Sequence, residues 1–212
     1  MRVSAIWRYP VKSMAGEQLG AAEITHAGLP GDRLVHVRDA NDRLITARTH
    51  PGLLGLGARL GKDGVPLIGG LPWDSAEVAA AASRAAGEPV SLVWHEGLER
   101  FDVLPLLVGT DGAIAALGVD GRRLRPNIVV GDVRGLAERT WPGRRLRVGG
   151  GVIRVASLRA RCAMTTYDPD TQARDPGVLR RIVRDFGGKM ALDCEVLEPG
   201  PVALGDPVEL LD

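Results

Sequence analysis

The first 60 residues alternate between short β-type runs and turn clusters. Val3-Ser4-Ala5-Ile6-Trp7 and Leu34-Val35-His36-Val37-Arg38 show partial apolar–polar alternation, the two-residue period of a half-buried strand. Gly28-Leu29-Pro30-Gly31-Asp32, Asp39-Ala40-Asn41-Asp42 and Gly61-Lys62-Asp63-Gly64 are rich in turn formers. The second cluster lies between 34–38 and 43–47, which predicts a hairpin. At about residue 75 the pattern becomes helical. Asp74 caps a helix over 75–86, Glu77 completes a capping box and Gly87 ends it. Residues 101–108 are apolar and strand-like, and Thr110 then caps a short helix over 111–117, closed by Gly118. Residues 128–130 and 152–155 read as strands around a loop containing Gly149-Gly150-Gly151. That triple glycine lacks the Gly-x-Gly-x-x-Gly spacing of a dinucleotide site and reads as a plain hairpin turn.

A second helix opens at Pro176 and runs to about 186. Val178, Leu179, Ile182, Val183 and Phe186 share one face, expected in the core, while Arg180, Arg181 and Arg184 share the other, expected in solvent. Residues 190–198 and 207–211 close the chain as strands. There are no repeats. The pattern predicts an α+β chain, predominantly β with a few short helices, and a weak boundary near 88–100 divides it into 1–90 and 91–212.

Composition narrows the classes. The 212 residues are 45% hydrophobic, enough for a real core, and net charge is +1, which argues against a polyanionic partner. The balance is uneven: residues 122–212 carry 16 Lys and Arg against 12 Asp and Glu, with eight Arg between 122 and 147. Arg gives planar, multi-donor recognition of phosphate or carboxylate, but aromatics are only 4%, which leaves few stacking platforms for nucleic acid. Two cysteines, 162 and 194, form no disulfide framework, so a reducing, cytoplasmic setting is expected. The N-terminal stretch lacks an apolar run of secretory length, and nothing predicts a membrane span.

Four blocks carry candidate chemistry, each with a plain structural alternative. In Tyr9-Pro10-Val11-Lys12-Ser13 the proline stiffens a stretch where a cation and a hydroxyl can face one acceptor; otherwise Lys12 is an exposed loop residue. Gly28-Leu29-Pro30-Gly31-Asp32-Arg33 presents an acid–base pair at a strand start, able to orient the Arg33 guanidinium toward a ligand or to form a surface ion pair. Arg125-Pro126-Asn127 holds a cation and a carboxamide in a stiff loop, suited to an anion and an amide-edged heterocycle, or merely to strand entry. Arg161-Cys162 precedes Thr165 and the turn-forming Asp168-Pro169-Asp170-Thr171; Cys162 is a nucleophile, a soft-metal ligand or a buried structural cysteine. No second cysteine stands two to four residues away, and His26, His36, His50 and His95 are scattered. Zinc, which needs three or four ligands, and a thiol–His pair are poorly supported. A single thiolate on a soft metal that arrives with its own other ligands fits better. Cys194, in a strand-like run, reads as core.

Taken together and in order, Tyr-Pro-Val-Lys-Ser, Gly-Leu-x-Gly-Asp-Arg, Arg-Pro-Asn-Ile-Val-Val, Arg-Cys-x-x-Thr-Thr-x-Asp-Pro-Asp-Thr and Gly205-Asp206-Pro207-Val208 resemble the MOSC family, in the two-part form similar to the amidoxime-reducing components and their bacterial relatives. The resemblance implies a MOSC β-barrel packed with an N-terminal β-barrel-like part. It implies a molybdopterin-type molybdenum cofactor between them, with Cys162 as metal ligand and Lys12, Ser13, Arg33, Arg125, Asn127, Arg161 and Thr110 around the cofactor. It further implies reduction of N-hydroxylated substrates, amidoximes or hydroxylamines, with electrons from a separate reductase or an iron–sulfur or flavin protein. Composition and the lack of a long apolar run, for their part, predict no nucleic-acid or membrane partner. A non-catalytic carrier of cofactor or sulfur, or a β-barrel interaction module with a decayed site, are the other readings. The chain departs from the family in a shorter stretch between about 61 and 100. It has too few cysteines for a four-thiolate iron–sulfur cluster, and Gln172 stands where glycine is common.

Overall fold

The computed structural model describes residues 1–95 and 97–212, with the main chain alone at Glu99. Glu96, inside the expected boundary at 88–100, lies outside the described residues. The chain is predominantly β. Eight strands are hydrogen-bonded in the order Val208–Leu211, Arg145–Val148, Gly151–Ala160, Lys189–Glu198, Leu106–Thr110, Ile128–Gly131, Arg2–Arg8, Glu17–Leu19. Within this sheet, among the described residues, only the pair Leu106–Thr110 and Ile128–Gly131 is parallel. The sheet curls, because Val3 N–H donates to Asp206 O (2.9 Å) and Val208 N–H to Met1 O (3.0 Å). The strand near one edge thus meets the segment entering the other. Ile6, Ile24, Leu106, Ile128, Leu146, Ile153 and Cys194 fill the enclosed core.

A second lobe is built from 28–95. Val35–Asp39 lies between Leu44–Ile45 and Val90–Trp94, all antiparallel, and a small sheet joins Ala58–Leu60, Pro66–Ile68 and Leu71–Pro72. Helix α1 (Ala76–Ala86) covers them with Val78 and Ala82, against Val11, Val35 and Val37. The two parts interleave: Arg2–Arg8 pairs with Ile128–Gly131, and Ala21–Ile24 with Gly200–Ala203.

Several predicted elements shift. Ser75, not Asp74, caps α1, its hydroxyl accepting from Val78 N–H (3.3 Å), since the chain is still extended there. The strand expected over 101–108 begins only at Leu106, leaving Asp102 in a bend. The triple glycine is a hairpin turn, but its incoming strand is Arg145–Val148. That strand's Arg-Leu-Arg-Val alternation went unread because charged arginines fill the solvent face. Helix α2 (Asp111–Leu117) and helix α3 (Pro176–Phe186) have the expected bounds and left-handed glycine caps at Gly118 and Gly187. In α3 only Val178, Ile182 and Phe186 are buried; Val183 is 59% exposed. Arg181 is exposed, as expected, yet its guanidinium also donates to Leu117 O (2.6 Å) and ties α3 to α2.

Candidate cofactor site

A cavity of about 450 Å³ opens where the two lobes meet, lined by Lys12, Ser13, Arg33 and Arg48 from one side and Arg125, Arg159, Arg161, Cys162 and Asp193 from the other. Its framework starts at the end of the first strand. Tyr9 N–H donates to Asp32 Oδ1 (2.7 Å), while Lys12 N–H donates to Val35 O (2.8 Å) and Val35 N–H to Pro10 O (3.1 Å). The Tyr-Pro-Val-Lys-Ser block is therefore strapped along the second lobe. Asp32 is fully buried, accepts from Asn127 Nδ2 (3.1 Å) and is paired with the Arg33 guanidinium.

Tyr9 joins the cations. Its ring centroid lies 4.2 Å from Arg125 Cζ and 5.2 Å from Arg33 Cζ, both within cation–π range. Its hydroxyl donates to Pro126 O (3.2 Å), and burial pushes its pKa up to about 12 against the pull of Arg125. The ring thus holds the Arg125 guanidinium without a counter-charge, beside the Arg33 guanidinium that Asp32 already pairs. Ser13, Arg33 and Arg125 all adopt left-handed backbone, with φ of 71°, 56° and 53°. For non-glycine residues this conformation costs energy and concentrates at functional sites.

The Cys162 loop reaches Arg125 through acid–base clamps. Asp170 takes a bidentate pair from Arg122 (2.9 and 2.6 Å), and Asp168 Oδ2 accepts from Arg123 Nη2 (3.0 Å). The Asp-Pro-Asp-Thr acids therefore anchor the Gly121–Leu124 turn that ends at Arg125, and they do not face the cavity. Gln172 sits at φ 56°, a conformation that glycine adopts without strain, and its amide donates to Asp170 O (2.9 Å). Cys162 is half-buried at the start of the turn Ala163–Thr166, its carbonyl taking both Thr165 N–H (3.1 Å) and Thr165 Oγ1 (2.9 Å).

Arg125 Nη2 and Arg161 Nε are buried without a hydrogen-bond partner. Burial lowers both guanidiniums to about 10, and Arg161 spends one donor on Leu124 O (2.8 Å). Buried donors left unpaired cost free energy, so these two are arranged for an anion that brings its own acceptors. Among the described residues no group of three or more His, Cys, Asp or Glu converges to hold a metal. A metal beside Cys162 must then bring most of its own ligands. An anionic, phosphate-bearing group carrying a soft metal with a place for one thiolate fits this set.

Residues 1–102 match the MOSC N-terminal beta barrel domain and residues 105–209 the MOSC domain. The chain belongs to the MOSC family. Among relatives of this MOSC protein, mitochondrial amidoxime-reducing component 1 from Homo sapiens is 27% identical, with 99% of this chain and 82% of the relative covered. The Mus musculus protein of the same name is 24% identical over the same shares. The crystal structure of the YUAD protein from Bacillus subtilis has the same fold, with a TM-score of 0.54 at 15% identity, 99% of this chain and 94% of that one covered.

The cavity of this MOSC chain gathers six of the eight residues singled out from sequence: Lys12, Ser13, Arg33, Arg125, Arg161 and Cys162. Asn127 stands behind them. Its Oδ1 accepts from Leu107 N–H (3.1 Å) and its Nδ2 donates to Trp7 O (3.3 Å) and Asp32, so it braces the Asp32–Arg33 pair. Thr110 does not line the cavity; its hydroxyl caps α2 at Ala113 N–H (3.2 Å) and meets Glu138 (3.3 Å). Cys194 is core, and burial pushes its thiol up.

Sequence reading missed the outer wall. Asp102 accepts from Lys12 Nζ (2.8 Å) and Arg48 Nη2 (3.1 Å) and lies 3.7 Å from Arg159, which also pairs with Asp193 (2.8 Å). Burial works to raise the Asp102 pKa, but Lys12, Arg48 and Arg159 outweigh it and hold the carboxyl below the usual range. Burial raises that of Asp193 despite Arg159. Asp102 was hidden in an apolar run, and Arg159 and Asp193 face each other only because their strands pair.

Proposed function

We propose that this chain is a molybdenum-cofactor oxidoreductase that reduces N-hydroxylated compounds such as amidoximes and hydroxylamines. The observation that carries the reading is the pair of half-buried arginines, Arg125 and Arg161, each with one buried unpaired donor, in the same cavity as the half-buried thiol of Cys162. The family and the amidoxime-reducing relatives support it. Lys12, Ser13, Arg33, Arg125 and Arg161 would hold the cofactor's anionic part, and Cys162 its metal. When bound, the cofactor supplies the two-electron redox chemistry that removes an oxygen from nitrogen. The chain's own part is to bind and orient. Arg125 and Arg161, half-buried in the cavity wall, bind an anion more strongly than fully solvated cations would. Tyr9 and Asp32 fix the guanidinium positions before the ligand arrives, so little ordering entropy is lost on binding. The balanced reaction takes two electrons and two protons and releases amine or amidine and water. Electrons come from a separate reductase.

Protein expressed in a cofactor-replete host should carry molybdenum and pterin in equal amounts and turn over benzamidoxime with reduced methyl viologen. Cys162→Ser should lose metal and turnover together. Turnover that survives this substitution overturns the ligand role. Stoichiometric transfer of cofactor or sulfur to an acceptor protein without turnover overturns the enzyme reading in favour of a carrier.

A further inference from the structure

A smaller pocket, of about 100 Å³, lies in the seam beside the cofactor cavity and shares Arg125 and Met164 with it. Trp7 and Tyr9, with Ala15 and Leu54, wall it on one side. The loop that follows Cys162 walls it on the other, through Met164, Tyr167 and Asp170. The Gly121–Leu124 turn adds Arg122 and Arg123. Arg123 lines this pocket and not the cofactor cavity.

Size and chemistry narrow the occupant. The space equals roughly three waters and falls well short of the about 300 Å³ at which drug-sized ligands begin, so it admits one ring with one small substituent. Trp7, Tyr9 and Tyr167 supply aromatic surface, and Leu54, Met164 and Pro169 supply aliphatic surface, which suits a flat ring. One polar group is unmet. The Arg123 side chain is only 10% exposed, and it spends Nη2 on Asp168 Oδ2 (3.0 Å) and Nη1 on Thr165 O (3.5 Å). Its Nε is buried without a hydrogen-bond partner. A buried donor left unmet costs free energy, which an acceptor oxygen brought into the pocket recovers. Charge makes no further demand. Arg122, Arg123 and Arg125 stand against Asp120, Asp168 and Asp170, of which Arg122 pairs with two and Arg123 with one. A neutral carbonyl therefore serves as well as a carboxylate.

We propose that this pocket is an effector site for a compound of one aromatic ring carrying a carbonyl or carboxylate oxygen, which accepts from Arg123 Nε and holds the Cys162 loop in place. Such a ligand touches Ala15 and Leu54 of one lobe and Met164 and Tyr167 of the other. Met164 also lines the cofactor cavity, two residues from the thiol, so occupancy of the seam is felt at Cys162. A ligand that binds only the formed pocket stabilises it by mass action and makes local openings around Cys162 rarer. The site requires no cofactor and stands apart from the molybdenum reading.

Benzamide is the probe, benzoate its carboxylate counterpart and benzylamine the same ring without an acceptor. Each is titrated by calorimetry into the whole cofactor-free chain, with inorganic phosphate saturating the cationic inner cavity. Benzamide or benzoate should bind with a Kd of about 1 mM or tighter, ordinary for so small a ligand in a formed pocket. Benzylamine should bind at least about tenfold more weakly. Ala15→Leu, which fills the pocket, should abolish binding. Arg123→Lys keeps a charge facing Asp168 but lacks Nε; it should weaken binding at least about tenfold, and it decides alone should Ala15→Leu not fold. The second readout is the rate at which Ellman's reagent modifies Cys162, Cys194 being fully buried. Saturating ligand should slow that rate at least about twofold. No binding of benzamide or benzoate to wild type, or binding that Arg123→Lys keeps unchanged, overturns the site. Binding with an unchanged thiol rate overturns its role as an effector. Neither readout involves turnover, so failure of the molybdenum reading leaves both to be judged as they stand.

Discussion

At the scale of single residues the site combines cations that carboxylates hold in place, Lys12, Arg33, Arg48 and Arg159, with Arg125 and Arg161, for which no carboxylate partner is seen among the described residues. Arg125 has an aromatic ring where a carboxylate would be expected, and an unpaired donor. Such an arrangement serves binding at the expense of the empty protein. Arg125→Met should therefore stabilise cofactor-free protein by about 1–3 kcal/mol in urea unfolding while reducing molybdenum content; a destabilised variant that keeps its metal would contradict this. Tyr9→Phe removes only the bond to Pro126 O and should retain most of its molybdenum, whereas Tyr9→Leu removes the ring beneath both guanidiniums and should lose most of it, as read by elemental analysis. His36 gives a pH signature. It is 3% exposed and stacked on His95 at 4.7 Å, and burial with nearby Lys12 lowers its pKa to about 4. The folded protein keeps it neutral while the unfolded chain protonates near 6.5, so stability is full above about pH 6.5 and falls by on the order of 3 kcal/mol as pH drops toward 4. His36→Phe should flatten that slope in unfolding midpoints measured from pH 7 to 4. Residue type and spacing alone marked Cys162, Arg161, Arg125, Arg33, Ser13 and Lys12, since each stands in a short, chemically dense block. They could not separate a residue that faces the cavity from one that braces it, which is the difference between Arg125 and Asn127, two positions apart.

Among the elements, helices were legible where a cap, an apolar period and a terminal glycine coincide. Pro176 and Gly187 bound α3 without ambiguity. At α1, two adjacent cap-type residues compete, and only backbone conformation chooses Ser75. Ser75→Ala should cost about 1 kcal/mol in urea unfolding and Asp74→Ala much less; the reverse order would reassign the cap. Strands were harder to read, because periodicity does not say which strand pairs with which. Arg145–Val148 was missed for its arginines, and 101–108 was drawn too long because apolar residues also line a cavity wall. The α3 stripe was legible as an apolar face, but not which of its members a neighbouring element covers.

Across the whole molecule, a linear division at residue 90 does not coincide with the way the sheets are shared. Arg2–Arg8, with Glu17–Leu19 on its outer side, and Ala21–Ile24 complete sheets whose remaining strands lie beyond residue 105. Residues 91–212 expressed alone would leave the Ile128–Gly131 edge open, a template for aggregation. That fragment should be oligomeric by light scattering, and a fusion restoring 1–27 ahead of residue 91 should return it to monomer; a monomeric, cooperatively melting fragment 91–212 would show instead that the later part folds unaided. If the cofactor is held as proposed, by Lys12 and Arg33 among others, its binding should be absent from both pieces. The same interleaving has a consequence during synthesis. Ile6 pairs with Ile128, so the opening strand leaves the ribosome some 120 residues before its partner. At ordinary elongation rates of about 5–20 residues per second, a nascent chain leaves the edge of that strand opposite Glu17–Leu19 unpaired for roughly 6–24 s, which makes Arg2–Arg8 a natural place for a chaperone to hold.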